Sequence, residues 1–274
     1  MQQRPAFDFS PYLRRWDLQP DGAPIVTRCS DLLPVRLRGA PAMLKIAHEE
    51  EERLGHVPLR YWDGDGAACV LAQEGDALVL ERAQGARSLV SMVEAGDDDA
   101  ATRIICSVAA RLHAPRPRPL PDLLPLDRWF EALEPGAARH GGMLVRCAGV
   151  ARDLFADARE PVTLHGDLHH ENVLDAGPER GWLAIDPKRL HGERGYDFAN
   201  IVCNPERSLD IVTRPGRLLR QVDVIAEAAE HDRRRLLQWI LAYAGLSAAW
   251  ILDDGDTPHL EFAVAEMAAA ALDA

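Results

Sequence analysis

A polar segment between two short apolar runs, at residues 162–174, constrains this chain more than any other feature. It reads VTLHGDLHHENVL and carries three histidines, two acidic residues and an asparagine. The following DAGPERG has the composition of a turn, and WLAIDP after it has that of a strand ending at Asp186. Antiparallel pairing across this turn would place Asn172, at the start of one strand, beside Asp186, at the end of the other.

Asn172 and Asp186 together predict a magnesium site. An amide oxygen and a carboxylate form an oxygen-only set that suits Mg²⁺, which takes one or two protein ligands and completes its shell with water and phosphate. Asp167, five residues before Asn172, is expected near the metal without binding it, as a base for a hydroxyl nucleophile should be. A carboxylate base, an asparagine and a second aspartate follow one another in this order in phosphoryl transfer by the protein-kinase fold.

The first third of the chain predicts an antiparallel sheet. LLPVRLRGAPAMLKIA and ACVLAQEGDALVLERA each contain two alternating runs joined by a turn, and HEEEERLGHVPLRYW between them predicts one short helix. Lys45 lies in a predicted strand, where its ammonium reaches nucleotide phosphates, and Glu51 is our choice of partner among four adjacent glutamates. The run LVLERA ends the sheet and is expected to form the hinge, with Glu81 and Ala83, whose backbone receives the adenine.

The remainder of the chain predicts helices. Apolar residues recur at helical spacing from 101 to 112, a proline-dense connector follows, and further helical patterns cover residues 127–134, 144–158, 218–230 and 234–252. The apolar stretch 236–252 is shorter than a typical membrane-spanning helix, so a buried helix is expected. The prediction is an α+β, protein-kinase-like bilobal fold. Residues 1–83 would form a nucleotide-binding lobe of antiparallel sheet, and residues 84–274 a mainly helical lobe with the catalytic loop and the substrate site.

LHGDLHHENVL, followed by WLAIDPKRLHGERGYDFAN, resembles the aminoglycoside phosphotransferases, and among them the streptomycin 6-kinase and hydroxyurea phosphotransferase branch. The segments LPVRLRGAPAMLKI, LRYWDGDGAACVL, RLHAPRPRPLPDLLPL and LSAAW also resemble that branch. The resemblance implies an ATP- and Mg²⁺-dependent small-molecule kinase. It assigns Asp167 as base, Asn172 and Asp186 to magnesium, Lys45 to the phosphates, Ser30 to a loop over the nucleotide, and His165 and Asp197 to bracing the catalytic loop.

The sequence departs from protein kinases at the phosphate lid. It has no G-x-G-x-x-G ahead of Lys45 and no Walker A motif. The segment RCSDLLP is therefore expected to build the lid.

Charge and cysteine usage narrow the partners. The formal net charge of -12 argues against nucleic acid and suits a cationic ligand. Streptomycin is the expected acceptor, with hydroxyurea, another aminoglycoside or an unrelated metabolite alcohol as alternatives. Five cysteines without a C-x-x-C pair predict neither a disulfide framework nor a zinc knuckle. MQQRPAFDFSPYLRRW is not expected to be an export signal, which favours a cytoplasmic enzyme without membrane attachment. The enzyme is expected to be a monomer.

Two other functions compete with the kinase. His165, Asp167, His169 and His170 cluster tightly enough to suggest a zinc hydrolase. That alternative leaves Lys45, Asn172 and Asp186 unexplained, and His169 and His170 are more simply packing or supporting residues of the loop than metal ligands. A kinase-fold binding protein without catalysis is the other alternative, and the intact base and metal ligands argue against it.

Overall fold

The computed structural model describes residues 7–274, so the first six residues of the segment expected to lack an export signal lie outside the described part. The N-terminal lobe is an antiparallel sheet in the order β1-β3-β4-β6-β5, with β2 paired to β3. Its strands are β1 (Leu18–Pro20), β2 (Ile25–Val26), β3 (Ser30–Leu37), β4 (Ala40–Ala47), β5 (Val70–Glu74) and β6 (Ala77–Glu81). Its helices are α1 (Ser10–Arg15), α2 (Glu50–Leu54) and α3 (His56–Trp62).

Both predicted hairpins are present. β3 pairs with β4 across a turn at Arg38 and Gly39, both with positive φ, and β5 pairs with β6 across a turn containing Gly75. The single helix expected between the hairpins is instead two short helices, α2 and α3. They meet at Gly55, where a Cβ atom would lie 2.8 Å from the backbone oxygen of Pro187, so glycine permits this close approach of the two lobes.

The alternation along β4 decides which side chains face the other lobe. Leu44 and Ile46 are buried in a hydrophobic cluster on the outer face of the sheet. Met43 and Lys45 have the opposite parity and line a cavity between the lobes. A strand period of two therefore turns the ammonium of Lys45 inward.

The segment between the lobes is anchored to the C-terminal lobe. β6 ends at Glu81 and the next helix begins at Leu89, so the boundary expected at residue 83 falls within this segment. The backbone nitrogen of Gly85 donates to the backbone oxygen of Asp175 at 2.7 Å, and the Arg87 guanidinium donates to the Asp175 carboxylate at 2.8 and 2.9 Å. These bonds fix the entry of the chain into the second lobe.

The C-terminal lobe is mainly helical, as expected. Its helices are α4 (Leu89–Glu94), α5 (Asp98–His113), α6 (Leu126–Trp129), α7 (Leu133–His140), α8 (Met143–Ala156), α9 (Tyr196–Ala199), α10 (Leu209–Val212), α11 (Arg217–Ala228), α12 (Arg233–Asp253) and α13 (His259–Asp273), with 3-10 turns at Phe130–Ala132 and Ile201–Cys203. Its strands are β7 (Leu124–Pro125), β8 (Pro161–Leu164), β9 (Val173–Asp175), β10 (Trp182–Ala184) and β11 (Leu190–Glu193). The α+β prediction is confirmed.

Helix α12 forms the centre of this lobe. It has the length and apolarity of a membrane-spanning helix, yet 61% of its most apolar 18-residue stretch is buried inside the protein. It packs against α7, α8, α9 and α13. Asp232 caps its first turn by accepting from the backbone nitrogen of Arg235 at 2.6 Å. A helix that is apolar on most of its circumference is thus buried on most of it.

Candidate active site

The loop between β8 and β9 carries the polar residues of the sequence motif. β9 pairs antiparallel with β10, with Val173 opposite Ala184, and the Ile185 nitrogen donates to the backbone oxygen of Asn172 at 2.9 Å. The predicted hairpin is therefore confirmed. It brings Asn172 and Asp186 to the same end of the two strands, and both residues line the cavity between the lobes.

Asp197 and His165 hold the start of the loop. The Asp197 carboxylate accepts from the backbone nitrogens of His165 and Gly166 at 2.9 and 2.8 Å, and His113 lies 2.8 Å from it. The fully buried His165 ring donates through Nε2 to the Ile185 carbonyl at 2.9 Å and accepts at Nδ1 from the Asp167 backbone at 3.2 Å. Burial lowers the pKa of His165, although Asp197 opposes the shift, and a neutral ring fits this donor and acceptor pattern.

Gly166 gives the loop its bend. Its φ of +82° lies in the left-handed region, and an added Cβ would lie 2.7 Å from Leu190 Cδ1 and 2.8 Å from Lys188 Cβ. Both conditions require glycine here. The carboxylate of the next residue is thereby aimed into the interlobe space.

Asp167 is held as a charged carboxylate. Asn172 Nδ2 donates to its backbone oxygen at 2.9 Å and to Oδ2 at 3.2 Å, while Asn200 Nδ2 donates to Oδ1 at 2.8 Å. Burial raises the pKa of Asp167, but the neighbouring His169 and the charge of Lys188 outweigh it, so the pKa falls below its usual value. The carboxylate is ionised at neutral pH and oriented by two amides.

Lys45 pairs with Glu52, which corrects the choice of Glu51. Its ammonium contacts the carboxylates of Glu52 and Asp186. Adjacent residues of a helix point about 100° apart, so only one of the two glutamates can face β4. α2 turns Glu52 into the interior and leaves Glu51 exposed. The sequence alone did not fix this rotation of α2.

Lys188, two residues after Asp186, completes this charged group. Its Nζ donates to Glu52 Oε1 at 2.6 Å, so Glu52 contacts two ammonium groups. Burial opposes ionisation of Glu52, yet Lys45, the hydrogen bond with Asp186 and Lys188 lower its pKa to about 2. Burial raises the pKa of Asp186, with Lys45 acting against the shift and Glu52 adding to it.

The cavity between the lobes has a volume of about 650 Å³. Apolar side chains form part of its wall, and the Glu81 carboxylate turns away to Arg180 at 2.8 and 2.9 Å. Of the residues selected from the sequence, those that line it are Ser30, Lys45, Glu81, Ala83, Asp167, Asn172 and Asp186. Glu51 does not line this cavity.

The segment RCSDLLP, expected to build the lid, is mostly part of strand β3, and Ser30 within it has a different setting from the one expected. It is the first residue of β3, paired with Ala47, and not part of a loop between strands. A turn over residues 27–30 precedes β3, closed by Thr27, whose nitrogen and Oγ1 both donate to the Ser30 backbone oxygen at 2.9 and 2.8 Å. Arg28 and Cys29 at its tip line the cavity. A four-residue turn without glycine thus leads into β3, the strand paired with that of Lys45.

A second cavity, of about 490 Å³, also has Asp167 in its wall. Its wall includes Trp129 and Trp250, whose rings meet edge to face with centroids 5.3 Å apart. Its acidic side chains, besides Asp167, are Glu51, Asp253 and Asp254. The cations Arg28 and Lys188 also line it, and Arg28 lies 3.5 Å from Asp254. Four carboxylates against two cations, together with the aromatic faces, favour a cationic ligand.

The donor set at Asn172 and Asp186 fits magnesium. Asn172 uses Nδ2 on Asp167 and lies with the same atom 3.0 Å from His169 Nε2, so its amide oxygen is left to face a metal ion. Asp186 adopts φ 60° after β10. Among residues 7–274, no three His, Cys, Asp or Glu side chains are grouped to hold a metal ion. The zinc-hydrolase alternative therefore lacks the ligand set it requires.

Sequence reasoning missed four residues of the site: Glu52, His113, Lys188 and Asn200. His113 contacts Asp197, 84 residues away in the chain, and Asn200 contacts Asp167, 33 residues away. No local sequence pattern predicts contacts over such separations. Glu52 was one of several equivalent candidates in the acidic run.

Comparison with known proteins agrees with this geometry. Residues 15–255 match the family described as aminoglycoside/hydroxyurea antibiotic resistance kinase. The chain is 50% identical over 246 residues to a streptomycin 3''-kinase of Klebsiella pneumoniae, covering 89% of this chain and 92% of that protein. It is 33% identical over 255 residues to a streptomycin 6-kinase of Streptomyces griseus, covering 89% and 81%.

Solved structures identify the fold. A thermostable mutant of aminoglycoside phosphotransferase APH(4)-Ia, in ternary complex with ADP and hygromycin B, superposes with a TM-score of 0.66 at 15% identity, covering 97% of this chain and 96% of that one. The predicted protein-kinase-like fold is confirmed.

Proposed function

Because the chain belongs to the aminoglycoside/hydroxyurea antibiotic resistance kinases, we propose that it transfers the γ-phosphate of ATP to a hydroxyl of a streptomycin-like aminoglycoside. The observation that carries this proposal is the position of Asp167, which lines both the cavity with Lys45 and Asp186 and the acidic, aromatic cavity beside it. A base at the border of two cavities suits the transfer of a group from a ligand in one to a ligand in the other.

The first cavity suits ATP. Its apolar wall offers a slot for the base, and Glu81 and Ala83 at the end of β6 offer backbone atoms to the adenine edge. Lys45, fixed by Glu52, is assigned to the phosphates. Asn172 and Asp186 would hold Mg²⁺, which supplies charge neutralisation of the phosphates when bound.

The second cavity suits the acceptor. Streptomycin carries guanidinium groups, which pair bidentately with carboxylates and stack on aromatic faces. Glu51, Asp253 and Asp254 provide the carboxylates, and Trp129 and Trp250 the faces. Asp167 orients the acceptor hydroxyl and takes its proton as the oxygen attacks phosphorus. Residues of the helical lobe, together with Arg28 and Glu51 from the first lobe, thus contribute the acceptor site.

We assign the acceptor hydroxyl to the 3'' position. The identity of 50% to a streptomycin 3''-kinase, compared with 33% to a streptomycin 6-kinase, supports this choice. Each alignment covers 89% of this chain and therefore includes most of the lobe that would face the acceptor.

The test is a coupled assay of ADP release by the purified protein with ATP and Mg²⁺, followed by NMR of the product. Streptomycin should stimulate ADP release above the acceptor-free rate, and the phosphorus should couple to the 3'' proton. Phosphorylation at position 6 would refute the 3'' assignment alone. If hydroxyurea stimulates ADP release and streptomycin does not, hydroxyurea is the acceptor and the streptomycin proposal is wrong.

Two substitutions separate the roles of the acidic residues. Asp167→Asn should leave Mg-ADP affinity nearly unchanged and lower kcat by about 10²- to 10⁴-fold, the usual contribution of a positioned acid-base group. Asp186→Asn should weaken Mg-dependent nucleotide binding, because it removes a metal ligand. Equal losses of nucleotide affinity in both variants would make Asp167 a metal ligand and not a base.

A further inference from the structure

Lysine is almost absent from this chain, and both examples lie in the site. Of 31 lysine and arginine residues, only those at positions 45 and 188 are lysines, which leaves 29 arginines. Both ammonium groups contact the carboxylate of Glu52, Lys45 at Oε2 and Lys188 at Oε1. Lysine presents a compact point charge where arginine presents a broad planar fork. The chain therefore uses a compact cation only beside these cavities, and Lys188 has no role in the reaction as described so far.

Lys188 lies where the two cavities meet. Among the described residues, three line both cavities: Arg28, Asp167 and Lys188. A phosphoryl group that moves from a nucleotide in one cavity to a hydroxyl in the other passes these three side chains. Asp167 is an anion and repels the phosphoryl oxygens, so the two cations remain as candidates for binding them.

The two cations differ in how firmly they are held. The Arg28 side chain is 87% exposed and lies 3.5 Å from Asp254, in an ion pair open to solvent. The Lys188 side chain is 17% exposed, and its backbone nitrogen donates to the His165 carbonyl at 2.7 Å. A charge that is fixed in advance and shielded from water stabilises a transition state more than a mobile, solvated one. These contacts distinguish Lys188 from Arg28.

We propose that Lys188 is a catalytic residue whose ammonium binds the phosphoryl group during transfer, while Lys45 binds the phosphates that remain on ADP. This inference rests on the proposed kinase function and extends it. Lys45 contacts Asp186 on the nucleotide side, and Lys188 reaches the acceptor cavity, which Lys45 does not line. Glu52 sets the positions of both ammonium groups through its two carboxylate oxygens.

The step follows ordinary phosphoryl transfer. The bond between the γ-phosphorus and the oxygen bridging to the β-phosphate breaks, and its electron pair stays on that oxygen as part of ADP. The acceptor oxygen forms a bond to the γ-phosphorus, and its proton passes to the Asp167 carboxylate. The three non-bridging oxygens carry negative charge during transfer, and Lys188, which lines both cavities, would stabilise that charge.

The test compares Lys188→Met with Lys45→Met in the full-length protein. Two affinities are measured with Mg²⁺: that for ADP alone, and that for ADP with aluminium fluoride, which mimics the phosphoryl group in transfer. Lys188→Met should keep ADP affinity within about twofold and lose about 10²- to 10³-fold in the metallofluoride complex and in kcat, the range for one preorganised donor. Lys45→Met should weaken both complexes.

A purely structural role for Lys188, as a counter-ion of Glu52, gives a different result. In that case Lys188→Met would weaken ADP and the metallofluoride complex by the same factor, since Lys45 would lose its position, and the proposal would be wrong. Unchanged kcat would also refute it. Lys188→Arg, which keeps the charge and the contact with Glu52, should fold normally and recover part of kcat, and it replaces Lys188→Met if that variant does not fold.

The binding measurements need no acceptor. If the wild-type protein phosphorylates neither streptomycin nor hydroxyurea, the proposed function fails. The role of Lys188 is still decided by whether Lys188→Met weakens the aluminium fluoride complex more than it weakens binding of ADP alone.

Discussion

Replacing Glu52 with glutamine gives the sharpest test of the charged group at the interface between the lobes. The Glu52 side chain is 6% exposed, contacts Lys45 and lies 2.6 Å from the Lys188 ammonium. Its pKa falls from 4.5 to about 2. At 1.36 kcal/mol per pKa unit, the shift corresponds to about 3 kcal/mol of favourable interaction with the charged form. Loss of one member of a buried ion pair costs about 3 to 5 kcal/mol, which agrees.

We therefore expect Glu52→Gln to lower the free energy of unfolding by about 3 kcal/mol at pH 7 in the absence of nucleotide. A carboxylate with a depressed pKa contributes its stability above its unfolded pKa of 4.5 and loses it as pH falls towards about 2. The cost of the substitution should therefore be the same at pH 6 and pH 8. Mg-ADP should restore part of the loss, because its phosphates would neutralise the Lys45 ammonium, one of the two cations that Glu52 contacts.

The matched control is Glu51→Gln, the same chemical change one residue earlier. Glu51 is exposed, so its substitution should change stability by less than about 0.5 kcal/mol. Urea unfolding followed by circular dichroism measures both variants. Equal destabilisation by the two substitutions, or none by Glu52→Gln, would refute the assignment of Glu52 as the partner of Lys45.

Three further expectations follow from the geometry. Gly166→Ala should lower kcat at least about tenfold and leave ADP affinity unchanged, because a Cβ would lie 2.7 Å from Leu190 and displace the catalytic loop. Equal losses of kcat, measured by kinetics, and of ADP affinity, measured by calorimetry, would contradict this. Glu193→Gln should cost about 3 kcal/mol in urea unfolding at pH 7, because Glu193 is buried and accepts from Arg235 and Trp239. Burial raises the pKa of Glu193, but the hydrogen bonds from these donors outweigh burial and lower the pKa below 4.5. The cost of the substitution should therefore shrink only below pH 4.5. A constant cost down to about pH 3 would contradict the assignment. The KM for streptomycin should rise with potassium chloride while that for neutral hydroxyurea does not, since salt screens exposed charge pairs over about 8 Å at physiological ionic strength; a salt-independent KM would refute charge matching in the acceptor cavity.

The hairpin that joins Asn172 to Asp186 could be predicted from the sequence because its information is local. A turn of Asp, Gly and Pro residues between two short apolar runs fixes the antiparallel register within a few residues. The parity of β4, which turns Lys45 towards the cavity, follows from the strand period in the same way. Where spacing alone sets the geometry, the sequence was sufficient.

Rotation of a short helix is not encoded locally. The acidic run at residues 49–52 offers four equivalent carboxylates, and the packing of α2 near Pro187, permitted by Gly55, decides which one is buried. Asn200 was likewise beyond reach, because it meets Asp167 only after α9 packs on the catalytic loop. Lys188 did leave a signal, in the scarcity of lysine, but its meaning depends on knowing that both lysines meet at Glu52.

Of the two proposed binding cavities, Glu52 lines the first and its neighbour Glu51 the second, so α2 would link the nucleotide and the acceptor. Glu52 fixes Lys45 and Lys188 in the first cavity, whereas Glu51 lines the second. One turn of helix therefore carries a residue of each site, so a shift of α2 that relaxes the ammonium groups also moves the Glu51 carboxylate. If nucleotide phosphates bind these ammonium groups as proposed, they would compete with Glu52 for them, and α2 would respond to what occupies the first cavity. Glu52→Gln should for this reason raise the KM of a cationic acceptor as well as that of ATP, while Glu51→Gln should affect the acceptor alone.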